Sequence, residues 1–376
     1  MRVEFYRHNI GDEEKRQILK ALDSIFLTTG EYVYEFEREL ANYLGVKRAI
    51  GVMSCTAALH LALLACGVGP GDEVITTPLT FVATPNAILH AGAEPIFVDV
   101  EPMTGNIDAA LVERAITKRT KAILPVHLYG HMCDMKTLRQ IADAHGLAIV
   151  EDAAHCLEGS RDGYRPGQLG DFAAFSFYAT KSITCGEGGA IVTNSDEQAQ
   201  LLRKLTLHGM NKSAAERYKG EFSHWDMELL GWKYNMSNVQ AALLTPQLRR
   251  VDERLLRREQ ICRRYEEAFE DLAELSFPKV LPGTVSARHL FTIQVDPDLR
   301  DSLISRLRAE GIAVTVNYLP CHLMSYYRNR YGYREGNFPV AERIGAMTIT
   351  LPLYSKLTDE EVEYIIGTVK KLVCSK

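Results

Sequence analysis

The chain has 376 residues, 46% of them hydrophobic, enough for one large core and a smaller second one. Its 43 basic and 48 acidic residues leave a formal charge of −5 with no long block of either sign, which argues against a nucleic-acid footprint or a polybasic membrane anchor. The opening MRVEFYRHNIGDEEKR is too charged for a signal peptide and no apolar run reaches bilayer length, so a cytoplasmic protein is expected.

From about Val46 to Val192, short β-rich runs alternate with helical stretches. Strands are expected at Arg48–Met53, Glu73–Thr77, Glu94–Val98, Lys121–Val126, Leu147–Val150, Phe172–Phe177 and Ala190–Thr193. Several are continuous apolar runs, as in strands buried on both faces. Between them lie helical patterns such as Thr56–Cys66, closed by Gly67, and Met135–His145, closed by Gly146. This alternation predicts a mostly parallel sheet with helices on both sides. Past Pro246 the pattern changes. PQLRRVDERLLRREQICRRYEEAFEDL reads as one long helix, followed by an extended segment at His289–Val295 and a helix at Asp301–Glu310. A strand is expected at Ala313–Tyr318, and a last helix from Thr358, where the acidic turn TDEE suits a helix N-terminus. The expected architecture is therefore α/β: a large domain of residues 1–245 and a smaller C-terminal α+β domain of residues 246–376.

Eight cysteines are scattered without a CxxC pair, the pattern of reduced, mostly buried thiols. His127, His131 and Cys133 lie close together in VHLYGHMCD, but no second ligand cluster is near them in sequence, and no metal is expected.

The strongest chemical signal is the pair of segments IVEDAAHCLEG and FSFYATKSITCGEGGAIVTN. An apolar strand delivers Glu151 and Asp152 at its carboxyl end, the edge where open α/β sheets bind ligands. A buried carboxylate there needs a cation or several hydrogen bonds. A protonated pyridine nitrogen would satisfy it, and the carboxylate would keep that nitrogen protonated. The plainer alternative is an Asp that caps the next helix. Lys181 follows another apolar strand and precedes Gly186-Glu187-Gly188-Gly189. A lysine in that position is commonly just solvated; with a lowered pKa it can link covalently to a cofactor and shuttle protons. The glycines read as a tight connection into the next strand. A phosphate site is offered by GVMSCTAALHLALLACG, where the amides of Cys55 and Thr56 open a helix and the Thr56 hydroxyl stands beside them. Ser and Thr cap many helices, so the motif gains weight only from sharing an edge with Asp152.

Together these segments resemble the DegT/DnrJ/EryC1/StrS family of sugar aminotransferases, which have the fold-type-I architecture of pyridoxal-phosphate (PLP) enzymes. The resemblance runs from TGEYVYEFERELANYLG through SCTAALHLAL, TPLTFVATPNAI, EDAAH and FSFYATKSITCGEGG to YNMSNVQAALL and FPVAERIGAMTITLPLY. It implies that Lys181 is the lysine joined to the cofactor and the later acid and base, and that Asp152 partners the pyridine nitrogen. It also implies that His155 lies beside the cofactor, that Phe81 stacks on the ring, and that Cys55, Thr56 and Ser176 cradle the phosphate. For Phe81 the residue type alone would suggest ordinary core packing. The family borrows a further phosphate ligand from the neighbouring subunit, within GWKYNMSNVQ. Asn235 is the first choice and Lys233 the second, which implies a homodimer with shared sites. Read without the family, this segment is a loop into a helix capped by Ser237.

The finer match, in SCTAALHLAL, in Thr184-Cys185-Gly186 and in VNYLPCHLMSYYRNRYGYREGNFPVAE, is similar to members that aminate C4 of a UDP-linked 4-keto-6-deoxy sugar with L-glutamate as donor. There His322 is expected near the substrate entrance. Relatives that aminate C3, or use dTDP or GDP carriers, have similar motifs. Dehydratases on this scaffold replace the lysine with histidine, which Lys181 argues against. A regulatory or binding protein without catalysis would not need Lys181, Asp152 and a phosphate cradle together. Aminotransferases of small amino acids commonly use an arginine clamp, and no arginine stands out for that role. The products of such relatives enter lipopolysaccharide and other surface polysaccharides.

Overall fold

The apolar runs of the N-terminal half assemble into one seven-stranded sheet in the computed structural model, which describes residues 1–212 and 224–374. Its strands are β1 (Arg48–Val52), β2 (Glu73–Thr76), β3 (Glu94–Phe97), β4 (Thr120–Ile123), β5 (Ala148–Asp152), β7 (Phe172–Ser176) and β8 (Gly189–Thr193); the two-residue β6 (Ser160–Arg161) lies outside it. The spatial order is β3-β2-β4-β5-β7-β8-β1, and only β8 runs against its neighbours. Every residue of β2 and β8 is buried, Glu73, Thr76 and Thr193 included, so these segments do not alternate between a core face and a solvent face. On one face lies helix Cys55–Ala65, whose Leu59, Leu61, Ala62 and Leu63 are inaccessible to solvent. On the other face, helices Glu31–Leu44 and Asn238–Leu248 bring Phe36, Leu40, Ala241 and Leu244 against β7 and β8. Each fully buried Leu or Ile contributes about 1.5–3 kcal/mol relative to exposure.

A second core forms around β11 (Phe291–Val295), paired antiparallel with β12 (Thr348–Leu351) and the short β9 (Leu275–Ser276); β10 (Thr284–Val285) pairs instead with β6. Helices Val251–Phe269, Pro297–Ala309 and Asp359–Cys374 cover it with Tyr265, Phe269, Leu303, Leu307, Ile365 and Val369. Val3 belongs to this second core and bridges to Ile312, so the start of the chain packs on the C-terminal body.

Two expected elements are corrected. The single long helix from Pro246 is in fact two helices, Asn238–Leu248 and Val251–Phe269, broken at Arg249–Arg250; Pro246 lies in the last turn of the first, where its missing N–H weakens continuation. The division proposed at 245/246 thus falls inside a helix, three residues before the chain bends. The strand expected at Ala313–Tyr318 reduces to one bridge, Thr315 to Thr350, because this stretch borders a cavity instead of another strand. Thr358 caps the last helix reciprocally with Glu361, its amide donating to Glu361 (2.9 Å) and its hydroxyl accepting from the Glu361 amide (3.2 Å). Among the described residues no helix is long and apolar enough to cross a membrane.

Candidate active site

The carboxyl ends of β1, β2, β5 and β7 and the start of β8 meet at one sheet edge and open onto a cavity of about 740 Å³. Asp152, the last residue of β5, reaches it with its carboxylate buried. One oxygen accepts from the Thr84 hydroxyl at 2.7 Å and the other from the Ala154 amide at 3.1 Å. Both donors are neutral. Burial raises the Asp152 pKa, and the two hydrogen bonds and the charge of Lys181 pull it back. A cationic ring nitrogen would complete this carboxylate's surroundings, so the site fits the group the family resemblance implies.

Lys181 lies in the turn after β7, its amide bonded to the Tyr178 carbonyl at 2.9 Å. Burial lowers its pKa to about 8, against the opposing pull of Cys55 and Asp152. Near neutrality a usable fraction of this amine is unprotonated, the form that attacks a carbonyl carbon or accepts a proton. Its Nζ is 3.4 Å from His289 Nε2. The His289 ring in turn lies 4.4 Å from that of His155. His155 Nδ1 accepts from the Tyr129 amide at 3.3 Å, and Nε2 faces the Tyr318 hydroxyl at 3.1 Å. Burial, reinforced by the charge of Lys181, holds both imidazoles neutral, well below the ordinary histidine range.

The turn expected to cradle a phosphate lies at the start of helix Cys55–Ala65. Ser54 caps it by accepting from the Ala57 amide at 3.1 Å. The amides of Cys55 and Thr56, in the first turn, have no intrahelical acceptor and stand at the cavity with Ser176 from the end of β7. Gly189, expected only as part of a tight connection, has a second role. A Cβ there would stand 2.5 Å from the Ser54 carbonyl carbon and 2.6 Å from the Cys55 nitrogen, so its bareness lets β8 pass directly under the cradle.

Phe81 is 57% exposed and lines the cavity, which sets aside ordinary core packing for it. Asn235 and Lys233 do not line this chain's own cavity. Asn235 sits beside the end of β1, donating to the Thr29 hydroxyl at 2.8 Å and accepting from Lys233. His322, expected near the substrate entrance, is buried, 2.9 Å from Glu342 and edge-on to Phe338, and is not among the residues that line the cavity. The wall on that side is Thr315, Asn317 and Tyr318. His127 serves β5 from behind: its ring meets Glu151 at 2.7 Å, and Glu151 also accepts from the amides of Gly167 and Gly170. Thr84, His289 and Tyr318 were missed by the sequence reading. Only Thr84, one turn after Phe81 in LTFVAT, carried a recognisable signal.

The profile of the DegT/DnrJ/EryC1/StrS aminotransferase family matches residues 8–370. The chain belongs to that family. It is 44% identical over 370 residues to the spore coat polysaccharide biosynthesis protein SpsC of Bacillus subtilis, covering 97% of this chain and 95% of SpsC. It is 38% identical over 380 residues to GDP-perosamine synthase of Caulobacter vibrioides, covering 99% and 98%. Among solved structures it superposes on the PLP form of Spr1654 from Streptococcus pneumoniae with a TM-score of 0.92, 34% identity and 99% of both chains covered. The protein is thus a PLP-dependent sugar aminotransferase, with a fold-type-I large sheet as expected.

Proposed function

We propose that the protein transfers the amino group of L-glutamate to a UDP-linked 4-keto-6-deoxy sugar in two successive half-reactions. The observation that carries the sugar reading is the composition of the cavity wall. Tyr178, Thr180, Thr315, Asn317 and Tyr318 offer hydroxyls and an amide, and no arginine lines the cavity among the described residues. That wall offers a hydroxyl-rich substrate several hydrogen-bond partners. When bound, PLP supplies an electron sink for the carbon that loses its proton.

Lys181 Nζ takes the proton from the donor's Cα and, in the second half-reaction, delivers one to the sugar carbon that receives nitrogen. Its lowered pKa suits both roles near neutrality. Asp152, held in place by Thr84 and the Ala154 amide, would keep a proton on the ring nitrogen. The Cys55 and Thr56 amides and the Ser176 hydroxyl would hold the phosphate, Phe81 would cover the ring, and His155 would lie beside it. Asn235 of the partner subunit, or Lys233 of the partner subunit, would complete the phosphate site, which makes a homodimer the active unit. The product would feed surface polysaccharide such as lipopolysaccharide. Likeness to GDP-perosamine synthase makes a GDP carrier the first alternative, and C3 amination of a dTDP-keto sugar the second.

The test is a visible absorption spectrum of the holoenzyme, first with L-glutamate and then with UDP-, GDP- and dTDP-linked keto sugars. Loss of the visible band with glutamate and its return with the UDP-linked 4-keto sugar is expected. Return only with another carrier would overturn the UDP assignment, and no response to glutamate would overturn the donor.

A further inference from the structure

Helix Val251–Phe269 leads from the large body into the small one, and it grips the loop that carries His289. Arg258 on this helix donates from Nε to the Arg288 carbonyl (3.1 Å) and from Nη2 to the Ala287 carbonyl (3.2 Å). Arg288 has φ 46°, a left-handed conformation that a non-glycine residue keeps only when its surroundings enforce it. The same helix supplies the enforcement, since Arg288 pairs with Glu259 and with Glu266, each at 2.6 Å. His289 follows directly and meets the Lys181 amine.

A second arm leaves the same guanidinium. Arg258 Nη2 also pairs with Glu158, and the other Glu158 oxygen accepts from the Ser182 hydroxyl at 3.2 Å. Ser182 is the residue after Lys181. Arg258 and Glu158 are 3% and 2% exposed. Lys181, Ser182, Glu158, Arg258, the 287–288 backbone and His289 therefore form a closed ring. The amine is faced by Cys55 from the cradle helix, by Asp152 from β5, and by His155 and His289; the Arg258–Glu158 pair lies behind it.

We propose that Arg258 is a positioning residue for Lys181. Through Glu158 and Ser182 it fixes the backbone beside the lysine, and through the 287–288 carbonyls it sets His289 against the amine. The seating of the connecting helix thereby determines where Lys181 can hold and place its proton. A buried ion pair is a weak source of stability, because desolvation offsets much of its attraction. Its fork geometry is directional, however, and a guanidinium that holds two arms at once locates both. Lys181 needs such location: it must release a carbon, rest, and return to the same carbon, and a 1 Å misplacement in such a step costs about 100-fold in rate.

This inference rests on Lys181 being the cofactor's lysine, and the experiment separates the two. The holoenzyme is reduced with borohydride and the labelled peptide mapped; a label on any lysine other than Lys181 refutes the site assignment itself. With that label in place, the double variant Arg258→Met, Glu158→Gln removes both charges together, so neither is left stranded, and Arg258→Lys keeps charge without the fork. The readouts are the rate at which saturating L-glutamate bleaches the visible band, the pH midpoint of that band, and the melting temperature. The double variant is expected to bleach about 10- to 100-fold more slowly with a shifted midpoint, and Arg258→Lys to fall between it and the wild type. A lower melting temperature with unchanged rate and midpoint would make the pair merely structural and overturn the proposal. If the double variant does not fold, Ser182→Ala cuts one arm alone, and a bleaching rate equal to wild type would overturn it equally.

Discussion

Replacing Gly189 by alanine should weaken cofactor binding without touching any side chain of the site. The added Cβ would stand 2.5, 2.6 and 2.7 Å from three backbone atoms of Ser54 and Cys55, where ordinary contact is 3.4–4 Å. The shortfall of about 0.8 Å has to be absorbed by one of two backbones. Gly189 is fixed by ladder pairing on both sides, to Val52 and to Ser176, so the free end of helix Cys55–Ala65 is the part that gives way. Moving the Cys55 and Thr56 amides by that distance turns hydrogen bonds of about 2.9 Å into weak contacts. A hydrogen bond to a charged group contributes about 1.5–3 kcal/mol, so loss of one or two raises the Kd for PLP at least about tenfold and up to about ten-thousandfold. The strain itself should lower stability by about 1–3 kcal/mol. Equilibrium titration of the cofactor-free variant with PLP, followed by the visible band, measures the first effect, and thermal unfolding measures the second. Gly69→Ala, with nothing within 4 Å of the new carbon, is the control. Wild-type affinity in Gly189→Ala would refute the claim that the Ser54–Cys55 turn holds the phosphate.

Four further outcomes are expected. Lys181→Ala should lose turnover while still binding PLP noncovalently, seen as bound cofactor without the visible band of the lysine-linked form; residual transamination would remove Lys181 from its role. Asp152→Asn should slow the glutamate half-reaction about 10²- to 10³-fold, because a neutral amide cannot hold the ring nitrogen protonated; single-turnover bleaching measures this. The unlinked Lys181 amine is protonated below its lowered pKa, so covalent capture of PLP by the cofactor-free protein should rise about tenfold per pH unit up to about pH 8 and then level. A rise continuing towards pH 10 would mean an unshifted lysine. Equal mixing and reassociation of Lys181→Ala and Asn235→Ala proteins should restore about a quarter of wild-type activity, since half the dimers would be mixed and each would hold one intact site. No restoration would place Asn235 outside the partner's phosphate site.

Much of the sheet was legible because several of its strands are largely apolar runs bounded by turn residues, a local property. The positions of Asp152 and the Cys55–Thr56 turn were legible for the same reason, whereas Ser176 came from the family resemblance. Each directly ends or follows a strand, so the strand pattern alone carries it to the ligand-binding edge. Other features depended on partners remote in the chain. The burial of His322 is not visible in its own segment; it depends on Phe338 and on Glu342 of helix Pro339–Met347, which pack against it. The break at Arg249–Arg250 is hidden in a continuous helical pattern and appears only where the chain leaves one core for the other. His289 gives no local sign of function; its place beside Lys181 depends on Arg258, Glu259 and Glu266 holding the preceding backbone. The sequence by itself determined which residues end the strands and what chemistry they carry, because strand periodicity and strand ends are short-range. Only the tertiary structure decided which neutral donors, imidazoles and charged pairs surround those residues, because burial and hydrogen bonding join groups that lie far apart along the chain.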